Sequence, residues 1–247
     1  MPFRSYGEDG VKVLRVARSR EEYLATQIAR SEAKFSYCKV SAHDVARYRA
    51  ILEADDARRG QPWTSIGPVL CLGTRNGREV DLFRIGFFRS ALHRRFVRAL
   101  EKNRGSVRSW LPAMEAIDRS DTGALDRASV IGVEINPHGG RKDVWVGSFD
   151  AMPGEWTGRF GVLFSNAFDQ SEEPEQTARE WSRIARAGAY VILCFNEEAE
   201  PTPTDPVGRI SLDDVMRLFK GRLSYYCRRA SLAGYSEAIV RLEGHAS

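Results

Sequence analysis

Two carboxylates and a pair of glycines are the residues of this chain whose types and spacing point most directly to chemistry. Glu134 ends the apolar run Val130-Ile-Gly-Val-Glu134, where a carboxylate can accept hydrogen bonds from both hydroxyls of a ribose. About fifty residues earlier, Gly73 and Gly77 stand in Val69-Leu-Cys-Leu-Gly-Thr-Arg-Asn-Gly-Arg-Glu79, an apolar run that breaks into a turn and then a helix-like segment. Glycines in such a turn let the backbone approach a ligand closely. Asp169 follows a third apolar run, Phe160-Gly-Val-Leu-Phe-Ser165, and can take a proton from a hydroxyl or an amine. Its structural alternative is to cap a helix ahead of Ser171-Glu-Glu-Pro174. Asn166 stands just past the same run, and ligands of open α/β sheets bind at the carboxyl ends of strands.

A strand, a glycine turn, a helix and a second strand tipped with an acid make a nucleotide-binding βαβ unit, which implies an adenosine-containing ligand. Strand-like runs occur at Val69–Leu72, Val130–Glu134, Val144–Phe149, Phe160–Ser165 and Ala189–Phe195, with helical patterns at Arg78–Ile85 and Glu172–Arg186. That alternation predicts a parallel sheet covered by helices. Ser211-Leu-Asp-Asp214 caps a further helix to about Phe219. Leu223–Arg228 and Tyr235–Leu242 then form a closing antiparallel hairpin. Upstream, Ser19-Arg-Glu-Glu22 opens a helix to about Lys34, and Ser41 caps a second, His43 to Arg58. Residues 1–62 are therefore expected to be a helical extension that packs on the sheet or covers its ligand edge. Residues 63–247 form the α/β domain, with an insertion at 87–129.

The net charge of +4 is mild, but from Arg84 to Arg108 eight Lys or Arg residues face one acid, Glu101. Phe88, Leu92, Phe96 and Leu100 recur every four residues, so Phe87 to Asn103 is expected to be an amphipathic helix with a basic side, followed by a short helical piece at Ala113–Arg119. Arg94, Arg95 and Arg98 on that side suit phosphate or carboxylate groups. A solvated face, an RNA contact and an oligomer interface through the phenylalanines are the other readings of this helix. Neither the four histidines (His43, His93, His138, His245) nor the four cysteines have a metal-like spacing, so no metal is expected. Cys71 and Cys194 fall in apolar runs, which suits small buried thiols in a reduced, cytoplasmic protein. No apolar run is long enough for a membrane span.

Between Val69 and Leu242 the motifs resemble, in order, those of the class I S-adenosylmethionine-dependent methyltransferases. Leu70-Cys-Leu-Gly-Thr-Arg-Asn-Gly77 is similar to the glycine-rich first motif, and Gly132-Val-Glu-Ile-Asn136 to the second-strand motif. Gly147-Ser-Phe-Asp-Ala-Met-Pro153 resembles the segment beside the adenine, and Phe160–Asp169 the fourth strand with its catalytic loop. Glu180-Trp-Ser-Arg-Ile-Ala-Arg-Ala-Gly188 resembles the helix and turn before the fifth strand. The resemblance implies a Rossmann-like, seven-stranded, mostly parallel sheet with a terminal antiparallel hairpin, and S-adenosylmethionine as cofactor. It further implies that Gly73, Thr74, Gly77, Glu134, Ile135 and Asn166 surround that cofactor, with Ser148, Phe149 and Asp150 bordering the adenine.

Two departures stand out. The family's first motif usually has an acid where this chain has Cys71 and a glycine where it has Arg75. Glu79 is the expected substitute acid, and Arg75 is expected to point away from the cofactor and avoid a positive φ. Gln170 stands where related proteins often carry histidine, leaving Asp169 and Asn166 as the catalytic candidates and Gln170 as a substrate contact. The implied reaction is methyl transfer to oxygen or nitrogen of a small or medium-sized acceptor, a small molecule, glycan or peptide, with an anionic acceptor suited to the arginines. A non-catalytic cofactor-binding scaffold and an RNA methyltransferase are the alternatives, and a homo-oligomer is compatible with either.

Overall fold

The structure is a computed structural model that describes residues 3–5, 11–14, 17, 19–36, 38–62, 66–88, 130–229 and 234–243. The basic face beyond Arg84, with His93, Arg94, Arg95 and Arg98, and the helices expected at 87–103 (from residue 89) and 113–119 lie outside those residues.

Seven strands form one sheet in the order β5-β4-β3-β6-β7-β9-β8. They are β3 (Val69–Leu72), β4 (Val130–Glu134), β5 (Val144–Val146), β6 (Phe160–Ser165), β7 (Ala185–Asn196), β8 (Gly221–Arg228) and β9 (Tyr235–Leu242). The first five run parallel, and β9 enters antiparallel between β7 and β8. β3 and β6 are fully buried, as befits central strands covered on both faces. Strand order reverses between β3 and β6, and the crevice at their carboxyl ends is where an open α/β sheet binds ligands.

The helices are α1 (Arg20–Ala33), α2 (Ala42–Arg58), α3 (Arg78–Phe88), α4 (Pro174–Ile184) and α5 (Leu212–Phe219). Ser41 and Asp44 close a reciprocal capping box on α2, as do Ser211 and Asp214 on α5. Val45, Tyr48 and Leu52 of α2 are fully buried against the face made by β3, β6 and β7. The two aliphatic side chains among them, Val45 and Leu52, each contribute roughly 1.5–3 kcal/mol by leaving water. So α2 packs on the sheet, whereas α1 lies over the ligand edge.

Several details differ from the sequence expectation: β5 ends at Val146 rather than Phe149, and α3 runs on past Ile85 to Phe88. The helix expected to reach Arg186 ends at Ile184, and β7 begins at Ala185. Pairing of Ala185 with Phe160, and hydrogen bonds from Gly158 and Arg159 to the carbonyls of Arg183 and Ile184, override local helix propensity. A short hairpin, β1 (Phe3–Ser5) with β2 (Lys12–Leu14), precedes the helices. It is anchored by the buried Val11 and Val13 and by the Leu14 N–H on the Pro206 carbonyl.

Candidate functional site

At the carboxyl end of β3 the chain turns sharply over β4. The N–H groups of Gly73 and Thr74 both donate to the Val133 carbonyl, at 2.9 and 3.1 Å. Gly73 has φ +74°, and a Cβ there would lie 2.6 Å from the Ala167 Cβ, so the turn requires glycine on two counts. Arg75 departs from expectation: its φ is +51° and its side chain is buried along the wall of the cleft. A left-handed residue between Gly73 and Gly77 aims the Arg75 N–H at Glu134 Oε2, 2.6 Å away. That charge-assisted bond offsets the roughly 1–2 kcal/mol that a non-glycine residue loses in this conformation.

Glu134 is the best-held side chain of the site. It is 2 % exposed, and its Oε1 accepts from Ser31 Oγ at 2.8 Å and from the Asn136 N–H at 3.0 Å. Gly139 makes the arrangement sterically feasible, because a Cβ there would lie 2.0 Å from the Arg75 carbonyl oxygen and 2.7 Å from Glu134 Cγ.

A cavity of about 450 Å³, counting its open mouth, lies against this turn. Gly73, Arg75, Glu134 and Ile135 line one side, Gly147, Ser148, Phe149 and Asp150 another, and Gln170 the far end. Asp150 accepts from Arg20 Nη2 at 3.0 Å and Ser148 Oγ at 3.1 Å through Oδ2, and from Thr177 Oγ1 at 2.6 Å through Oδ1. Phe149 packs edge-on against Trp181, whose Nε1 donates to the Phe149 carbonyl at 3.1 Å.

The roof comes from α1; sequence reasoning allowed the extension to cover the ligand edge but did not single out the residues that do so. Tyr23, Gln27 and Ser31 line the cavity from one helix face. A polar stripe at core spacing was the available signal. Among the other expected cofactor residues, Thr74, Gly77 and Glu79 are not part of the cavity lining. Thr74 Oγ1 donates to Glu79 Oε2 at 2.9 Å, and both are buried; burial raises the Glu79 carboxyl. Gly77 packs against Arg141 behind the turn, with 2.9 Å from its would-be Cβ to Nη1.

Past Gln170, the loop after β6 carries Asn166 and Asp169. Ser165 Oγ donates to the Leu72 carbonyl at 3.1 Å and accepts from the Ala167 N–H at 3.0 Å, fixing where the loop leaves the sheet. Asn166 Nδ2 and Asp169 Oδ1 are buried and have no hydrogen-bond partner among the described residues. Burial first, then the nearby Asp205 carboxylate, push the Asp169 carboxyl up to about 6, against the opposing pull of Arg30, Lys39 and Arg75.

Among the described residues no cluster of His, Cys, Asp or Glu could hold a metal ion, and no helix is long and apolar enough to cross a membrane.

No family model matches the chain, and no curated protein does. Solved structures do match. One is the 1,6-didemethyltoxoflavin-N1-methyltransferase of Burkholderia thailandensis, with 1,6-didemethyltoxoflavin and S-adenosylhomocysteine bound. It is 12% identical, with a TM-score of 0.54 over 98% of this chain and all of that one. Another is a putative methyltransferase of Haloferax volcanii in complex with the activator Trm112, at 16% identity and TM-score 0.49, covering 93% of this chain and 100% of that one. A possible histamine N-methyltransferase of Thermotoga maritima follows at 13% identity and 0.44, covering 90% and 99%. The chain has the Rossmann-like fold of the class I methyltransferases.

Proposed function

We propose that this protein is an S-adenosylmethionine-dependent methyltransferase that acts on oxygen or nitrogen of a small acceptor. The observation that carries the reading is the meeting of Glu134, the Gly73–Gly77 turn and Asp150 around one cavity at the strand-order reversal. The residues fit an adenosine ligand: Glu134 keeps an unused lone pair beside Arg75 and Ser31, Gly73 leaves the backbone bare, and Asp150 would accept from an exocyclic amine. S-adenosylmethionine would supply an electrophilic methyl group on a positively charged sulfur. The chain itself would align the reactants and exclude water, with Asn166 and Asp169 toward the acceptor and Gln170 between the two halves. The helices within residues 1–62 would serve the site as its roof and its packing, and the free thiols suit a reduced cytoplasm.

Calorimetric titration with S-adenosylmethionine and S-adenosylhomocysteine tests the reading. Micromolar binding that Glu134→Ala removes is the expected result. A well-folded protein that binds neither compound would support the scaffold alternative.

A further inference from the structure

Helix α1 brings to the cleft an acceptor that no donor among the described residues uses. Gln27 is 3% exposed and lines the cavity, with Tyr23 one turn before it and Ser31 one turn after it on the same face. Its Nε2 donates to the Thr204 carbonyl at 3.0 Å. A backbone carbonyl can only accept, so the amide nitrogen must be the atom that meets Thr204, and the oxygen takes the other limb of the amide. That oxygen, Oε1, is buried and has no hydrogen-bond partner among the described residues. Buried polar atoms without partners are rare in native structures and call for an explanation. In the wall of a cavity, a donor on the molecule that fills it supplies one.

The place of Gln27 on the helix selects the donor. At the start of α1, Arg20 donates to Ser148 and Asp150, and its guanidinium lies 5.8 Å from the Tyr23 ring centroid. Near the end, Ser31 holds Glu134. The Gln27 amide reaches instead to the loop after β7, whose Val207 N–H donates to the Asp169 carbonyl at 3.1 Å. Gln27 is therefore tied to the β6–β7 side of the cleft. S-adenosylmethionine carries three sets of donors: the adenine amine, the ribose hydroxyls and the ammonium of its amino-acid end. Asp150 and Glu134 serve the first two on the reading above. The third lacks an acid, because Cys71 stands at the acid position of the first motif and Thr74 engages Glu79 outside the cavity lining. Granted the methyltransferase reading, we infer that Gln27 Oε1 accepts from the ammonium of the cofactor, so that the roof helix reads the amino-acid end of the ligand. The Thr204 carbonyl holds the amide in the orientation that presents its oxygen. A ligand without the ammonium leaves that oxygen buried and unpaired, which makes Gln27 a specificity-determining residue.

Calorimetric titration of the full-length protein with two ligands tests the assignment: S-adenosylhomocysteine, and its deaminated analogue in which hydrogen replaces the amino group. The wild type should bind the analogue roughly ten- to a hundredfold more weakly, the worth of a hydrogen bond to a charged donor. Gln27→Met removes the acceptor at nearly constant volume. Gln27→Lys removes it while keeping a donor for the Thr204 carbonyl, so it separates the acceptor from the anchoring of the roof. Both variants should lose at least about tenfold in affinity for S-adenosylhomocysteine and none for the analogue. Equal losses for the two ligands would make Gln27 a strut of the roof and overturn the assignment. Undiminished S-adenosylhomocysteine binding in both variants would overturn it as well. A wild type that binds neither ligand is a separate result, which overturns the methyltransferase reading beneath it.

Discussion

On the β4 side of the cleft both oxygens of Glu134 and both of Asp150 have partners within the protein, whereas on the β6 side a carboxylate oxygen of Asp169 and the amide nitrogen of Asn166 are buried with none among the described residues. The first arrangement fixes side chains where a ligand would need them and leaves them unreactive. The second leaves buried polar atoms unsatisfied, at a cost of about 1–3 kcal/mol for each group. On the proposed reading, binding geometry and chemical reactivity would fall to different parts of the site. A pre-organised acid can read a diol, and an unsatisfied one can still move a proton.

The comparison breaks most visibly at Glu134. Glu134→Ala should weaken cofactor binding at least about a hundredfold in calorimetry and lower stability by about 1–3 kcal/mol, since the Arg75 and Asn136 N–H groups lose their acceptor. A far smaller loss would mean that the β4 half is only structural.

Asp169→Asn should do the reverse to stability. A carboxyl raised in the folded state contributes stability that is complete below its ordinary value near 4 and is lost as pH rises through about 6. The asparagine variant should therefore match the wild type near pH 4 and exceed it near pH 7.5 by on the order of 2 kcal/mol in urea titrations. Once an acceptor is known, its methylation should fall about 10²–10⁴-fold in the same variant.

Ser31→Ala sharpens the point about pre-organisation. A carboxylate offers about four lone-pair sites, and Ser31, Arg75 and Asn136 use three. A ribose diol must displace one partner, and the serine hydroxyl is the mobile one. Removing it should tighten S-adenosylhomocysteine binding roughly two- to tenfold; weaker binding would instead make Ser31 a ligand contact.

The smallest effect is expected at Arg20, whose side chain is 42% exposed. Arg20→Ala should change the melting free energy by no more than about 0.5 kcal/mol. Any change in cofactor affinity would then report the freed Asp150 directly.

The β4 half was the legible half. An apolar run ending in an acid, and glycines where a turn must pass close to a neighbouring strand, are local signals, and Glu134 and Gly73 stand where they were expected. Arg75 was illegible because a positive φ in an arginine follows from the Glu134 carboxylate across the turn, 59 positions further along the chain. The end of α4 was misplaced because strand pairing with Phe160, not propensity, decides where that helix stops.

Helix α1 touches both halves. Arg20 holds Asp150, Ser31 holds Glu134, and Arg30, one residue before Ser31, holds Asp205 beside the Asp169 carboxyl. A helix of 14 residues moves as a unit, so lifting Ser31 from Glu134 also strains the Arg30–Asp205 pair. On the proposed reading, occupancy of one half would then alter the free energy of filling the other. Reciprocity requires the two ligands to change each other's affinity by the same factor, whichever arrives first.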